Sequence, residues 1–177
     1  MKSINIYIKE ALKLGNNSRY KYHPQTKKEL KNLITQRIKN EGNEVDLNDI
    51  DVSKITDMSY MLFGCLDFNQ DISKWDVSDV INMSFMFYQC KVFNQDISNW
   101  DVSNVIDMHR MFQGCKKFNY DLSRWNVKNA TNTNGMFYGC ESFNQNISGW
   151  NVSNVTNYAD TFYSCAIEEK YKPKKFK

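Results

Sequence analysis

A 25-residue period runs from about Leu47 to Cys165 and holds every cysteine of the chain in one phase: Cys65, Cys90, Cys115, Cys140 and Cys165. Trp75, Trp100, Trp125 and Trp150 keep the same step, as do Phe68, Phe93, Phe118 and Phe143, and Asn69, Asn94, Asn119 and Asn144. A chain that repeats at such a step is a stack of like units. A unit this short cannot close a core of its own, so each lays its apolar edge against the next and stability becomes a sum of neighbour interfaces. Function in such a chain belongs to columns of equivalent positions.

Within one unit the apolar spacing changes half way. Ile97, Trp100, Val102 and Val105 follow the spacing of a leucine-rich repeat, which places a short strand around Trp100 to Val102. Met108, Met111, Phe112 and Cys115 are three and four apart, the spacing of one helix face. The pattern therefore predicts an α/β repeat: a leucine-rich-repeat-like solenoid of about five 25-residue coils, each a short parallel strand plus a short helix. The columns Ile72, Ile97, Leu122, Ile147 and Val52, Val77, Val102, Val127, Val152 are expected inside, with the tryptophans and methionines filling the rest. The Asn column is expected to bond backbone groups at a bend, including those of the next coil. Ala130, Thr133 and Gly135 make coil four the one with the poorest helix.

Three regions follow from the repeat limits: a basic helical leader and N-terminal cap over 1–45, the repeat over 46–165, and a basic tail over 166–177. Ile50 stands at the tryptophan phase of the first coil, while Tyr158 and Thr161 replace methionines in the last, as terminal caps do. In the leader, Ile4, Ile8 and Leu12 form a short amphipathic run. Thr26 to Glu29 is a capping box opening a helix with a Leu30, Leu33, Ile34, Ile38 stripe that Gly42 stops, and this helix is expected to cover coil one.

The formal charge of +3 is uneven along the chain. Residues 1–41 carry ten basic and three acidic side chains, net +7; residues 42–167 carry eight and fifteen, net −7; residues 168–177 carry five and two, net +3. The ends either pair with the acidic coils or meet an acidic partner. Lys170, Lys172, Lys174, Lys175 and Lys177 lack the aromatic interleaving of a nucleic-acid groove. No apolar run is long enough to span a bilayer, and the start lacks a signal-peptide pattern, so a cytoplasmic location is expected.

Five cysteines in line sort into neither disulfide pairs nor a tetrahedral metal site, so they are expected to be buried free thiols. The column Asp51, Asp76, Asp101, continued by Asn126 and Asn151, either joins a turn network with the serines two residues on or holds a cation. His23 and His109 lie in no motif with a nucleophile, and no phosphate loop is present, so neither enzyme activity nor a cofactor is expected. Two variable columns are the candidate partner-binding residues. Lys74, Asn99 and Arg124 change from coil to coil, and Tyr88, Tyr138 and Tyr163 belong to a column that starts at Phe63 and is interrupted by Gln113. An aromatic row of this kind is either a binding platform or a packing device between neighbouring coils.

The run from Phe93 to Val105 (Phe-Asn-Gln-Asp-Ile-Ser-Asn-Trp-Asp-Val-Ser-Asn-Val), followed by Met108, Met111-Phe112 and Gly114-Cys115, resembles the BspA-like leucine-rich repeat surface-protein family. The resemblance recurs in every coil and implies a right-handed solenoid without enzyme activity, used in binding or adhesion, with relatives in bacteriophages and large viruses. The expected function is thus a protein-binding solenoid with no small-molecule substrate. The alternative is a structural or adhesive component of a virion or cell surface, reached by assembly.

Overall fold

The computed structural model describes residues 19–177. The leader pattern of Ile4, Ile8 and Leu12 lies outside the described residues. The expected α/β leucine-rich-repeat-like solenoid of strand-plus-helix coils is not what the chain adopts. Among the described residues the one α-helix is α1, Lys27–Glu41, and the remaining helical pieces are two three-residue 3-10 turns, Glu169–Tyr171 and Lys174–Phe176. No strand forms among the described residues; strand-like pairing between coils is limited to isolated parallel bridges joining Asp57, Asn82, Asp107, Asn132 and Asn157 in series.

The segments predicted as helices are chains of turns because two of their phases are left-handed. Tyr60, Phe85, Arg110, Gly135 and Asp160 have φ between 51° and 59°, and Gly64, Gln89, Gly114, Gly139 and Ser164 have φ between 51° and 75°. A right-handed helix cannot pass through such residues. The amides then divide their work. In coil one, Met61, Phe63 and Cys65 donate three residues back, to Met58, Tyr60 and Leu62, whereas Met58, Tyr60, Leu62 and Gly64 donate across to Asn82, Ser84, Met86 and Tyr88 of coil two. The cross-coil bonds recur through coil four, where Thr133, Gly135, Phe137 and Gly139 reach Asn157, Ala159, Thr161 and Tyr163 at 2.8–2.9 Å. Local helix bonding is thereby exchanged for contact between coils, and the methionine and phenylalanine spacing serves the turns equally well. Gly135 sits at a phase that demands positive φ, so its low helix propensity is no weakness of coil four.

Every coil is closed by turns in which Asp or Asn accepts the amide two residues on. Asp51, Asp76, Asp101 and Asn151 bind Ser53, Ser78, Ser103 and Ser153, and Asn126 binds Lys128. A second such column runs through Asp71, Asp96, Asp121 and Asn146, and a third through Asp57, Asn82, Asp107 and Asn132. Of the two readings of the Asp51 column, the turn network is therefore the one formed.

The core is a bundle of side-chain ladders running through the stack. Phe87, Phe112 and Phe137 lie ring over ring with centroids 5.4 and 5.5 Å apart, and each also stacks at 4.2–4.5 Å on the phenylalanine that opens the following coil, Phe93, Phe118 or Phe143. The indole N–H groups of Trp75, Trp100, Trp125 and Trp150 donate to the carbonyls of Leu47, Ile72, Ile97 and Leu122 in the preceding coil at 2.9–3.2 Å. The isoleucine and valine columns are buried as expected. Asn69, Asn94, Asn119 and Asn144 each accept the amide of the next coil, at Asn94, Asn119, Asn144 and Glu168, at 2.8–3.0 Å. The buried indole donors and the more exposed asparagine oxygens thus both find their partners in neighbouring coils.

At the N-terminal end, Thr26 caps α1 by accepting the Glu29 amide, and Gly42 ends it at φ 83°. Leu30, Leu33 and Ile34 are buried over coil one. Lys31 donates to the Tyr60 carbonyl, Lys27 pairs with Asp57 at 3.0 Å, and Arg37 bridges Asp49 and Glu41. The basic helix thus meets the acidic coils, one of the two outcomes its charge allowed. At the other end, residues 166–177 fold back over coil five. Ile167 and Pro173 are buried, Phe176 stacks on Tyr158 at 5.3 Å, and Lys175 donates to the Val155 carbonyl at 2.6 Å.

Candidate functional site

The left-handed turns display aromatic side chains on one side of the stack. Tyr60 stacks on Phe85 with centroids 4.6 Å apart, and Phe63 stacks on Tyr88 at the same distance. The two pairs lie side by side, with Tyr60 and Phe63 5.5 Å apart and Phe85 and Tyr88 5.6 Å apart. His109 meets the edge of Phe85 at 4.8 Å and the Arg110 guanidinium lies 5.9 Å from its centre. Tyr60 and Phe63 remain 45 % and 44 % exposed. Holding an aromatic residue at positive φ costs about 1–2 kcal/mol, and at Tyr60 and Phe85 that cost is borne on the surface.

The predicted residues fall on two separate faces. Tyr88 and Tyr138 are half-buried, Tyr163 is 57 % exposed and stacks on Tyr138 at 4.8 Å, and Gln113 separates this pair from the Phe63–Tyr88 pair. The aromatic column therefore packs coil on coil and still leaves ring surface in solvent. Lys74, Asn99 and Arg124 are exposed on the turns that precede Trp75, Trp100 and Trp125, a different face from the aromatic one. Sequence reasoning missed Tyr60, Phe85, His109 and Arg110. The available signal was glycine: Gly135 shares the phase of Tyr60, Phe85 and Arg110, while Gly64, Gly114 and Gly139 share a phase four residues on, and recurring glycines mark left-handed turns.

The thiols have their own local role. Cys90, Cys115 and Cys140 donate to the carbonyls of Leu62, Phe87 and Phe112 at 3.0–3.1 Å, 28 residues back in each case. The expected burial holds for these three alone, since Cys65 is exposed and Cys165 half-buried at the two ends of the column where no neighbouring coil covers them. Burial raises the three far above the ordinary thiol range, and partial desolvation raises Cys65 and pushes Cys165 up to about 11. Protonated donors of this kind are poor nucleophiles and poor metal ligands. Among the described residues no group of three or more His, Cys, Asp or Glu converges to hold a metal ion. Burial pushes the Asp51 carboxyl up, but the Ser53 hydroxyl and His23 together hold it below the usual carboxylate range. Asp101 is lowered by hydrogen bonds from Ser103.

A groove of about 400 Å³ runs between α1 and coil one, lined by Ile34, Ile38, Met61, Leu62, Leu66 and Phe68 among others. A shallower trough of about 590 Å³ follows the column of Thr56, Ile81, Ile106 and Thr131. No helix among the described residues is long and apolar enough to cross a membrane.

The family model described as "Mycoplasma protein of unknown function, DUF285" matches residues 28–142 and 75–172, two overlapping spans that together take in α1 and all five coils. The chain belongs to this family. No curated protein and no solved structure matches it. The family description carries no activity, so the geometry of the surface has to supply the functional reading.

Proposed function

We propose that this chain is a non-enzymatic protein-binding repeat module, akin to the BspA-like surface proteins, that holds its partner on the aromatic face of coils one and two. The reading rests on one observation: Tyr60, Phe63, Phe85 and Tyr88 form two side-by-side stacked pairs that remain partly in solvent while the core is filled by other columns. Aromatic side chains give large contact area at small cost in conformational entropy and dominate the energetics of protein interfaces. His109 and Arg110 extend the patch with polar edges that bond a partner's carbonyls and carboxylates.

The test compares two surface variants for capture of the partner that the parent protein recovers from its native host. Tyr60→Ser with Phe63→Ser is expected to keep the melting profile and lose at least tenfold in affinity. Lys74→Ser with Arg124→Ser is expected to bind as the parent does. If the aromatic variant binds normally while the charged variant fails, the partner lies on the other face and the reading is wrong.

A further inference from the structure

The ladder between coils has a direction, and the last coil leaves it unfinished. In coils one to four the amides at the phases of Met58, Tyr60, Leu62 and Gly64 all donate forward, to carbonyls of the following coil. Coil five carries the same four amides on Tyr158, Asp160, Phe162 and Ser164. Its backbone is the same, with φ 56° at Asp160 and 51° at Ser164. Its in-coil bonds are also present, from Thr161, Tyr163 and Cys165 to Tyr158, Asp160 and Phe162. Residues 166–177 do not form a further coil, and among the described residues none of the four amides donates a hydrogen bond. Alternation of right- and left-handed residues lines such N–H groups along one side as a concavity of positive potential.

A cavity of about 260 Å³ opens at this row, lined by Tyr158, Asp160, Phe162, Tyr163 and Lys172 among others. Residues 158–177 carry five lysines against Asp160, Glu168 and Glu169, net +2. Lys174 and Lys177 are exposed beside the segment that crosses the coil.

We propose that this end of the stack binds an extended acidic peptide of another protein, which completes the ladder as one further coil edge. The row is made of donors alone, so a second copy related by a twofold axis brings donor against donor. The matching acceptors on coil one are the carbonyls of Asp57, Ser59, Met61 and Phe63, and α1 packs over that end, with Lys27 on the Asp57 and Ser59 side chains and Lys31 on the neighbouring Tyr60 carbonyl, so a head-to-tail copy meets a helix there. Donors on every second residue match the carbonyls on every second residue of a polypeptide, the mode by which edges accept an added strand. The surrounding lysines select an acidic chain. Inside the stack, the accepting segment of coil two is left-handed at Phe85 and Gln89, four residues apart. A peptide containing glycine takes up that conformation most readily.

This surface is distinct from the aromatic patch of coils one and two, so the two proposals succeed or fail separately. The probe is a blocked (Asp-Gly)4 peptide titrated into the 15N-labelled full chain. The amide resonances of Tyr158, Asp160, Phe162 and Ser164 are expected to shift and their hydrogen exchange to slow at least tenfold. The equivalent amides of Thr133, Gly135, Phe137 and Gly139, already bonded, are expected to stay in place. Lys174→Glu with Lys177→Glu is expected to weaken the effect at least threefold, and Tyr60→Ser with Phe63→Ser to leave it unchanged. The proposal is overturned if the four resonances do not respond, if blocked (Lys-Gly)4 acts equally well, or if inorganic phosphate at the same concentration reproduces the shifts, which marks a simple anion site.

Discussion

Coil one and coil five end the same stack with opposite polarity. Coil one presents backbone acceptors at Asp57, Ser59, Met61 and Phe63, and α1 packs over that end with Lys27 on the Asp57 and Ser59 side chains and Lys31 on the Tyr60 carbonyl, while Leu30, Leu33 and Ile34 close the core beneath. Coil five exposes donors, and residues 166–177 close its core with Ile167, Pro173 and Phe176 but leave the donors open. A directional ladder cannot be finished by the same device at both ends. A cationic helix suits an acidic, acceptor-bearing end; amides need an acceptor, and no carbonyl of residues 166–177 is placed to supply one.

The largest expected effect tests whether the middle of the stack outweighs both ends. Trp100→Ala removes a buried indole and one of the two donors to the Ile72 carbonyl, which keeps only the Trp75 amide. A loss of about 3–5 kcal/mol is expected from denaturant unfolding, with reduced protection in both neighbouring coils. A parent-like midpoint would show that the ladders do not carry the stack.

The two ends can then be weighed directly. Leu33→Ala, at a fully buried position under α1, is expected to cost about 2–4 kcal/mol, and Phe176→Ala, at a half-buried one, about 1–2 kcal/mol. Hydrogen exchange should show coil five opening before coil one in the parent. Equal costs with equal protection would mean that the C-terminal segment closes its end as well as the helix does.

The turn columns extend the contrast to acid. In coils one to three the acceptor after the tryptophan phase is Asp51, Asp76 or Asp101; in coils four and five it is Asn126 or Asn151. Burial pushes Asp51, Asp57, Asp71 and Asp101 up, most strongly at the first three, yet hydrogen bonds together hold all four below the usual carboxylate range. A carboxyl depressed in the folded state stabilises the fold above its unfolded value of about 3.9 and loses that contribution as pH falls through its folded value. Between pH 6 and pH 3, amide protection should fall in coils one to three and hold in coils four and five. The reverse order would refute the role given to these turns.

The smallest effect concerns the left-handed phases. Gln89→Gly matches the glycines found at that phase in three other coils and is expected to raise stability by about 0.5–1 kcal/mol, while Gly139→Ala, at φ 67°, is expected to lower it by about 1–2 kcal/mol. Thermal melts of the two variants should move in opposite directions.

Much of this organisation was legible from residue types and spacing. The capping box at Thr26, the stripe of α1, its place over coil one, the buried aliphatic columns and the Asn69-to-Asn144 ladder were all anticipated, because each depends on local chemistry or on the repeat step alone. The helical reading of Met108 to Cys115 failed for a definite reason. Spacing of three and four describes which side chains share a side, and a run of right- and left-handed turns satisfies it as well as a helix does. The strand around Trp100 failed similarly, since Asp101 and Ser103 form a turn that leaves too little extended backbone to pair.

The sequence by itself determined the step, the number of coils, the inward columns and the acidic middle between basic ends, because periodicity and charge are properties of the chain. Only the tertiary structure decided the path of each coil, since the sign of φ at Tyr60, Phe85 and Arg110 is set by cross-coil hydrogen bonds and not by those residues' own preferences. It also decided that four amides at Tyr158, Asp160, Phe162 and Ser164 end without acceptors among the described residues. The direction of a ladder appears only once the coils are stacked.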